Sequence, residues 1–462
     1  MAPTGSPAAA RVDELEARTR SFVREHRLPG AAAGVVHGDE LVWSSGAGFA
    51  DIAGRRAAGR ETLYRIASIT KTFTGTAIMQ LRDEGRLHLD DPAVAHVPEL
   101  RGAQSPFGAI ETVTIRRMLS HESGLVGDPP GTDWAVAAYE SSPAANLARV
   151  AEIGTTVPPS TQQKYSNLAY QLLGEIVTRV SGVPYREHVR TQILDPLGMV
   201  ATAFEPLPAE LGARRATGYA PRWLSDDLAE SITAPFTEAE GGLWSCVADL
   251  ARWIAFQLRE DGGPRAGAQV LAGETLAEMH RPRYLGDAAW TEAFGIAWYA
   301  VRREDVVWVQ HSGGLHGFTT TVCFDPRERV GAIALVNGGG DPSSLAMDLA
   351  GIARDAVRAA PAAIEPPAPL PEAWRGLLGF YTEPEEMLLL RLEWRDGKLT
   401  FVDADSPTWR PTLAPGAGPD AFVVEPGVRE SGEPCRFERA ADGRIRAVVL
   451  GPTRLRRLDP VD

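Results

Sequence analysis

Ser68-Ile69-Thr70-Lys71 places a hydroxyl and an amine three residues apart. The tetrapeptide stands where a short extended run, Thr62 to Ile66, gives way to a helical pattern from Ile69 to Glu84. Positions i and i+3 share one face of a helix, so the two side chains can meet. A helix N-terminus also offers backbone N–H groups and a positive dipole end, which suits a developing oxyanion. Serine is a poor nucleophile until a neighbour takes its proton, and a desolvated lysine with a lowered pKa can do so. By itself the pattern reads as well as a helix-capping serine followed by a solvated lysine. Composition shifts the balance. Of 47 lysines and arginines, only Lys71, Lys164 and Lys398 are lysine. Arginine could not replace Lys71 as a base, because it stays protonated.

Toward the N-terminus, apolar spacing predicts a helix from Arg11 to Glu25, ending before Pro29-Gly30. Ala31 to Val36 and Leu41 to Ser45, joined by His37-Gly38-Asp39, read as a hairpin. Helical patterns then dominate: Thr114 to Leu119, Leu168 to Val180, Tyr185 to Leu194 and Val247 to Leu258. Strand-like runs return at Phe294 to Val301, Val306 to Gln310, Thr319 to Phe324 and Val330 to Val336, before a closing helix from Ser344 to Ala359. A sheet drawn from both ends of a segment with helices between them is an α/β arrangement with largely antiparallel pairing.

Residues 1–359 are therefore expected to form one domain. A linker over 360–372 follows, with prolines at 361, 366, 367, 369 and 371. Residues 373–462 read as β throughout, a small barrel or sandwich. There Asp396-Gly397 and Asp442-Gly443 each separate two strand runs, as tight hairpin turns require.

The 462 residues suit two domains, and 44% hydrophobic with 23% charged residues suits a folded globular chain. A net charge of -13 argues against a nucleic-acid partner, since phosphate binding needs clustered positive charge. Cys246, Cys323 and Cys435 match no metal spacing and read as small buried hydrophobes. No segment is apolar and long enough to span a membrane. Met1 to Pro7 lacks a basic stretch followed by an apolar run, so a cytoplasmic location is expected, with a mature secreted form as the alternative. No Gly-x-Ser-x-Gly elbow, His-Glu-x-x-His pair or Gly-x-x-x-x-Gly-Lys loop is present.

Two further elements bear on Ser68. Tyr165-Ser166-Asn167 precedes an amphipathic helix; a tyrosine beside a cation can relay a proton, and an asparagine amide can orient a carbonyl. His311-Ser312-Gly313-Gly314 follows a strand, where glycines let backbone N–H groups approach a ligand, or simply form a turn. Read singly, Tyr165 is a packed aromatic, and His121 and His316 are structural.

Taken together, Ser68-x-x-Lys71, Tyr165-x-Asn167 and His311-Ser312-Gly313 resemble, in order and spacing, the serine β-lactamase and penicillin-binding protein superfamily, and more narrowly its class C branch. Met118 to Leu125, Ala216 to Tyr219 and Gly241 to Ser245 are accessory matches, and the resemblance covers roughly residues 28–359. It implies a β-lactamase-like fold in which Ser68 attacks while Lys71 and Tyr165 manage its proton. It implies an oxyanion hole from the N–H groups of Ser68 and Gly314, and substrate contacts from Asn167, His311, Ser312 and Gly313. His311 departs from the lysine of many β-lactamases and is similar to the esterase and aminopeptidase relatives. The C-terminal module resembles lipocalin-like domains, where Arg454, Arg456 or Arg457 would either bind a substrate carboxylate or stand as solvated strand charges.

The expectation is a serine hydrolase acting on ester or amide bonds through an acyl-Ser68. The alternatives are an acyltransferase or peptide cyclase using the same acyl-enzyme, a β-lactamase, and a non-catalytic ligand-binding module. The expected partner is a small-molecule or peptide substrate, with no cofactor, metal, nucleic acid or membrane.

Overall fold

Gly30–His37 (β1) is buried along almost its whole length because both faces of the sheet around it are covered. The structure, a computed structural model, describes residues 11–128, 143–219, 238–259, 270–315, 317–360, 368–383, 388–403 and 409–458. The chain divides into two compact units, Met1–Ala360 and Pro361–Asp462. Residues 361–367 of the expected linker, and His316, lie outside the described residues.

In the first unit, helix α1 (Val12–Glu25) leads into β1, and β1 pairs with β2 (Glu40–Asp51) as the expected hairpin. The segment between β2 and the later strands holds helices α2 (Thr70–Asp83), α3 (Asn167–Ser181), α4 (Glu238–Gly241) and α5 (Val247–Gln257). Strands β3 (Tyr299–Arg303), β4 (Val306–Leu315), β5 (Phe318–Asp325) and β6 (Val330–Val336) follow, then helix α6 (Ser343–Ala359). β6 pairs antiparallel with β1, so the two ends of the segment close one nine-stranded sheet.

Alternation along β1 divides its side chains between two cores. Ala32 and Val36 pack with the central helices, whereas Ala31, Ala33 and Val35 pack with α1 and α6. Small residues set the helix–sheet spacing. A Cβ on Gly34 would come within 2.5 Å of Val247 on α5, and one on Gly331 within 2.7 Å of Ile254.

α2 is buried from Thr70 to Leu81, which demands that its hydroxyls be paired. Thr72 Oγ1 donates to the Ile69 carbonyl at 2.7 Å, Thr74 Oγ1 to that of Ala239 at 2.5 Å, and Thr76 Oγ1 to that of Thr72 at 2.9 Å. Phe73 stacks on Trp253 with ring centroids 3.9 Å apart, fixing α2 against α5.

Two strand readings need correction. The run Phe294 to Val301 is not one strand: Glu292–Phe294 and Tyr299–Arg303 flank a turn at 295–298. There the N–H groups of Ile296 and Ala297 bond to Met279 and Leu119 instead of to the sheet. Conversely, β4 does not end at Gln310 but runs on through His311-Ser312-Gly313-Gly314 to Leu315. β5 pairs with that whole stretch, so the glycines lie within a strand.

The second unit is a closed barrel of eight antiparallel strands, the first of which (Gly379–Glu383) pairs with the last (Thr453–Leu458). Tyr381, Leu390, Phe401, Phe422 and Phe437 fill its interior. Asp396 and Gly397 both adopt positive φ, 50° and 78°, as a type I′ turn requires. Arg454 pairs with Glu438, and Arg457 donates to the Gly376 and Leu378 carbonyls and lies over Tyr381. Both have structural partners within the barrel.

Candidate active site

Ser68 sits in a 3-10 turn, Ala67–Ile69, that runs directly into α2. Ala67 before it is buried and held at φ 46°, a left-handed conformation costly for a residue with a Cβ and typical of over-determined functional turns. The residues at the helix-cap positions are Ile66 and Ile69, not Ser68, and Lys71 is 0% exposed, so neither half of the capping-and-solvation reading holds.

Lys71 Nζ donates to Ser68 Oγ at 3.2 Å, to Asn167 Oδ1 at 2.8 Å and to the Glu240 carbonyl at 2.8 Å. Those three bonds use the full donor capacity of an ammonium. Tyr165 donates to Ser68 Oγ at 3.0 Å, and its ring lies 5.0 Å from Lys71 Nζ. Ser68 Oγ therefore stands between an amine and a phenol.

Local capping places the second pair. Ser166 caps α3, its Oγ accepting from the Ala169 N–H at 3.0 Å and donating to the Val126 carbonyl at 2.7 Å. This sets Asn167 at the first turn, where Nδ2 donates to Asp128 Oδ1 at 2.7 Å while Oδ1 receives Lys71. His121 buttresses Tyr165 with ring centroids 4.3 Å apart, and its Nδ1 accepts the Ser166 N–H at 3.2 Å. Burial holds the His121 pKa well below the usual value, so the ring is neutral there.

β4 supplies the opposite wall. A Cβ on Gly313 would fall 2.2 Å from the Ile66 carbonyl oxygen and 3.0 Å from the Ser68 nitrogen, so only glycine allows this strand so near the Ser68 turn. Nothing would crowd a Cβ on Gly314. β3 pairs with β4 only over Val306–Gln310, so His311 to Leu315 pair on the β5 side alone. His311 Nδ1 donates to the Ser312 carbonyl at 2.7 Å, leaving Nε2 as the acceptor. Burial and the nearby Lys71 push the His311 pKa down to about 3, so the imidazole is neutral. Ser312 Oγ hydrogen-bonds with the hydroxyls of Thr321 and Ser343. A cavity of about 630 Å³ opens over these groups, lined by Ser68, Tyr165, Tyr299, Arg303, His311 and Gly313 among others.

All eight candidate residues thus converge on one site. Three neighbours escaped the sequence reading: Asp128, Tyr299 and Glu240. Tyr299 meets the His311 ring edge-on at 5.1 Å. Glu240 is 3% exposed, and among the described residues its Oε2 has no hydrogen-bond partner. Burial raises its pKa to about 7, against the opposing pull of Lys71. Glu240 adjoins the recognised Gly241 to Ser245 stretch, but nothing in the sequence marks it as buried. Among the described residues, no cluster of three or more His, Cys, Asp or Glu side chains is placed to hold a metal, and no helix is long and apolar enough to cross a membrane.

A family model described as Beta-lactamase matches residues 15–356. Protein flp of Staphylococcus aureus (strain N315) is 28% identical over 325 residues, covering 68% of this chain. The chain spans 61% of the length of that relative. An uncharacterized protein of Mycobacterium tuberculosis (strain CDC 1551 / Oshkosh) is 30% identical over 316 residues, 62% of this chain and 78% of its own. The octameric penicillin-binding protein homologue from Pyrococcus abyssi has a similar fold, with a TM-score of 0.62 at 24% identity over 96% of this chain and 99% of that one. A class C beta-lactamase matches with a TM-score of 0.64 at 19% identity, covering 77% of this chain and 98% of its own.

Proposed function

Because this chain belongs to the Beta-lactamase family, we propose that it is a serine hydrolase that cleaves an ester or amide through an acyl-enzyme on Ser68. One observation carries the reading: Ser68 Oγ lies 3.2 Å from Lys71 Nζ and 3.0 Å from the Tyr165 hydroxyl. A neutral Lys71 can keep its two shorter bonds, to Asn167 and Glu240, with its two remaining hydrogens. Its lone pair then faces Ser68.

In the first step Ser68 Oγ bonds to the substrate carbonyl carbon while its proton passes to the Lys71–Tyr165 pair. The carbonyl oxygen becomes an oxyanion held by the N–H groups of Ser68 and Gly314. Collapse breaks the bond to the leaving alkoxide or amine, which takes the proton. Water, giving a proton to the Lys71–Tyr165 pair, then attacks the acyl carbon; the acyl–Oγ bond breaks, Ser68 Oγ takes that proton, and the carboxylic acid leaves. Lys71 and Tyr165 act as one unit in these transfers.

A neutral His311 favours ester or amide substrates over β-lactams, since it brings no cation to a β-lactam carboxylate. The test is turnover of a panel of p-nitrophenyl esters, D- and L-amino-acid amides and nitrocefin, by the wild type and Ser68→Ala. Ester or amide turnover that vanishes in Ser68→Ala is the expected result. Turnover that survives in Ser68→Ala, or nitrocefin hydrolysis far above every ester and amide, overturns it.

A further inference from the structure

Lys71 and Glu240 are two buried ionisable side chains, 0% and 3% exposed, and of the two it is Lys71 that hydrogen-bonds Ser68. The Glu240 carbonyl receives the Lys71 ammonium at 2.8 Å, which locks the two residues together through the backbone. The carboxyl of the same residue is buried, with Oε2 unpaired among the described residues. The Gln171 amide reaches the carboxyl, but a carboxylate buried with so little compensation is costly, so it either holds a proton or draws on the nearest positive charge.

We propose that Glu240 is a positioning residue for the proton on Lys71, its buried carboxyl governing through its charge whether the amine can take the Ser68 proton. The proposal rests on the reading of Ser68 as nucleophile and Lys71 as its base. When Glu240 is protonated, Lys71 can shed its proton into a neutral pocket. When Glu240 is ionised, releasing its proton to solvent, the carboxylate favours the ammonium, and Lys71 cannot accept the Ser68 proton until that attraction is overcome.

The surroundings are consistent with this coupling. α4, which carries Glu240, packs on α2, on α3, on the Ser68 turn and on the helix Tyr185–Val189. From α2 comes Lys71. From α3 and the turn before it come Tyr165, Tyr170 and the amide of Gln171. Asp128 reaches the same network through Asn167 and repels an ionised Glu240. Tyr170 and Tyr185 are held in their neutral phenol forms by burial. Arg186, on the last of these helices, is engaged by Glu238. Lys71 is therefore the group on these elements whose charge stabilises an ionised Glu240, and the titration of Glu240 lies at about 7.

The experiment is the second-order rate of fluorophosphonate labelling of Ser68 against pH, for the wild type, Glu240→Gln and Glu240→Asp. Removing the carboxylate is expected to move the rising limb of the profile to lower pH by about one unit, a shift typical of losing one nearby charge. On that limb Glu240→Gln would then label up to about tenfold faster than the wild type. Glu240→Asp, which keeps the charge, is expected to stay near the wild-type profile. A merely structural role would lower the rate or the melting temperature without moving the limb. Should Glu240→Gln not fold, Glu240→Met, of similar volume and equally neutral, carries the same test. Superimposable limbs, or a shift to higher pH, overturn this proposal alone. A wild type that takes no adduct at Ser68 overturns the nucleophile reading and this proposal with it.

Discussion

Replacing Gly313 by alanine tests how closely β4 must lie against the Ser68 turn. The added methyl carbon would stand 2.2 Å from the Ile66 carbonyl oxygen and 2.8 Å from Thr320 Oγ1. Neither neighbour is free to yield. The Ile66 oxygen accepts bonds from Ile69 N–H at 3.2 Å and from Thr320 Oγ1 at 3.0 Å, while Ile66 N–H is bonded to Leu243 at 3.0 Å. Restoring an ordinary carbon–oxygen contact requires the strand and the turn to part by about 1 Å. Overpacking of this kind costs about 1–3 kcal/mol of stability. A misplacement of about 1 Å between reacting groups costs about 100-fold in rate, or about 3 kcal/mol of barrier. Gly313→Ala is therefore expected to remain folded with a lowered melting temperature and to label with a fluorophosphonate about 100-fold more slowly. Gly314→Ala, where a Cβ meets nothing within 4 Å, is the stability control and is expected to melt like the wild type. A Gly313→Ala protein with wild-type labelling rate and melting temperature would show that β4 need not lie so close to the Ser68 turn.

Other outcomes follow from the same contacts. Lys71→Arg is expected to lose nearly all ester turnover although the charge is kept, because a guanidinium cannot accept the Ser68 proton; wild-type kcat in this variant would rule out a base role. Tyr165→Phe removes the 3.0 Å hydrogen bond to Ser68 and should lower kcat/KM about 100-fold without unfolding the protein, as measured by ester turnover and circular dichroism. Glu240 also affects stability. Its pKa is raised on folding from 4.5 to about 7, so folding takes up a proton between those values. Its favourable contribution is fully present below pH 4.5 and is lost as pH rises to about 7. The linkage amounts to about 3 kcal/mol across that window. Urea unfolding at pH 4.5 and pH 8 should show the wild type losing stability relative to Glu240→Gln by an amount of that order, and parallel curves for the two proteins would contradict the assignment.

Much of the site was legible in the sequence because its members come in short contiguous groups. Ser68 and Lys71 share one helical turn, Tyr165 and Asn167 flank one cap, and His311 to Gly314 are consecutive. Local geometry brings each group together, and the resemblance supplied the way the groups meet. Asp128 and Glu240 were not legible, since their importance depends on burial and on a side chain distant in the sequence. The β1–β2 hairpin and β6 were read from unbroken β-branched or small apolar runs. The end of β4 was misplaced because two adjacent glycines carry the signature of a turn, yet pairing with Thr319 and Thr320 holds them in the strand. The break at 295–298 was missed because its signal is tertiary: the N–H groups of Ile296 and Ala297 find carbonyls at Met279 and Leu119. In the barrel, Asp396-Gly397 forms the expected two-residue turn, because its backbone demand is written in the residues themselves, whereas at Asp442-Gly443 only Gly443 takes a positive φ, 84°, and residues 440–444 form a longer connection between the strands.

The most direct measurement is the intact mass of the protein after reaction with a fluorophosphonate, followed by peptide mapping, for the wild type and Ser68→Ala. With Ser68 as the nucleophile, a single stoichiometric adduct on Ser68 is expected in the wild type and none in Ser68→Ala. An adduct that persists in Ser68→Ala, or one mapped to another residue, would contradict it.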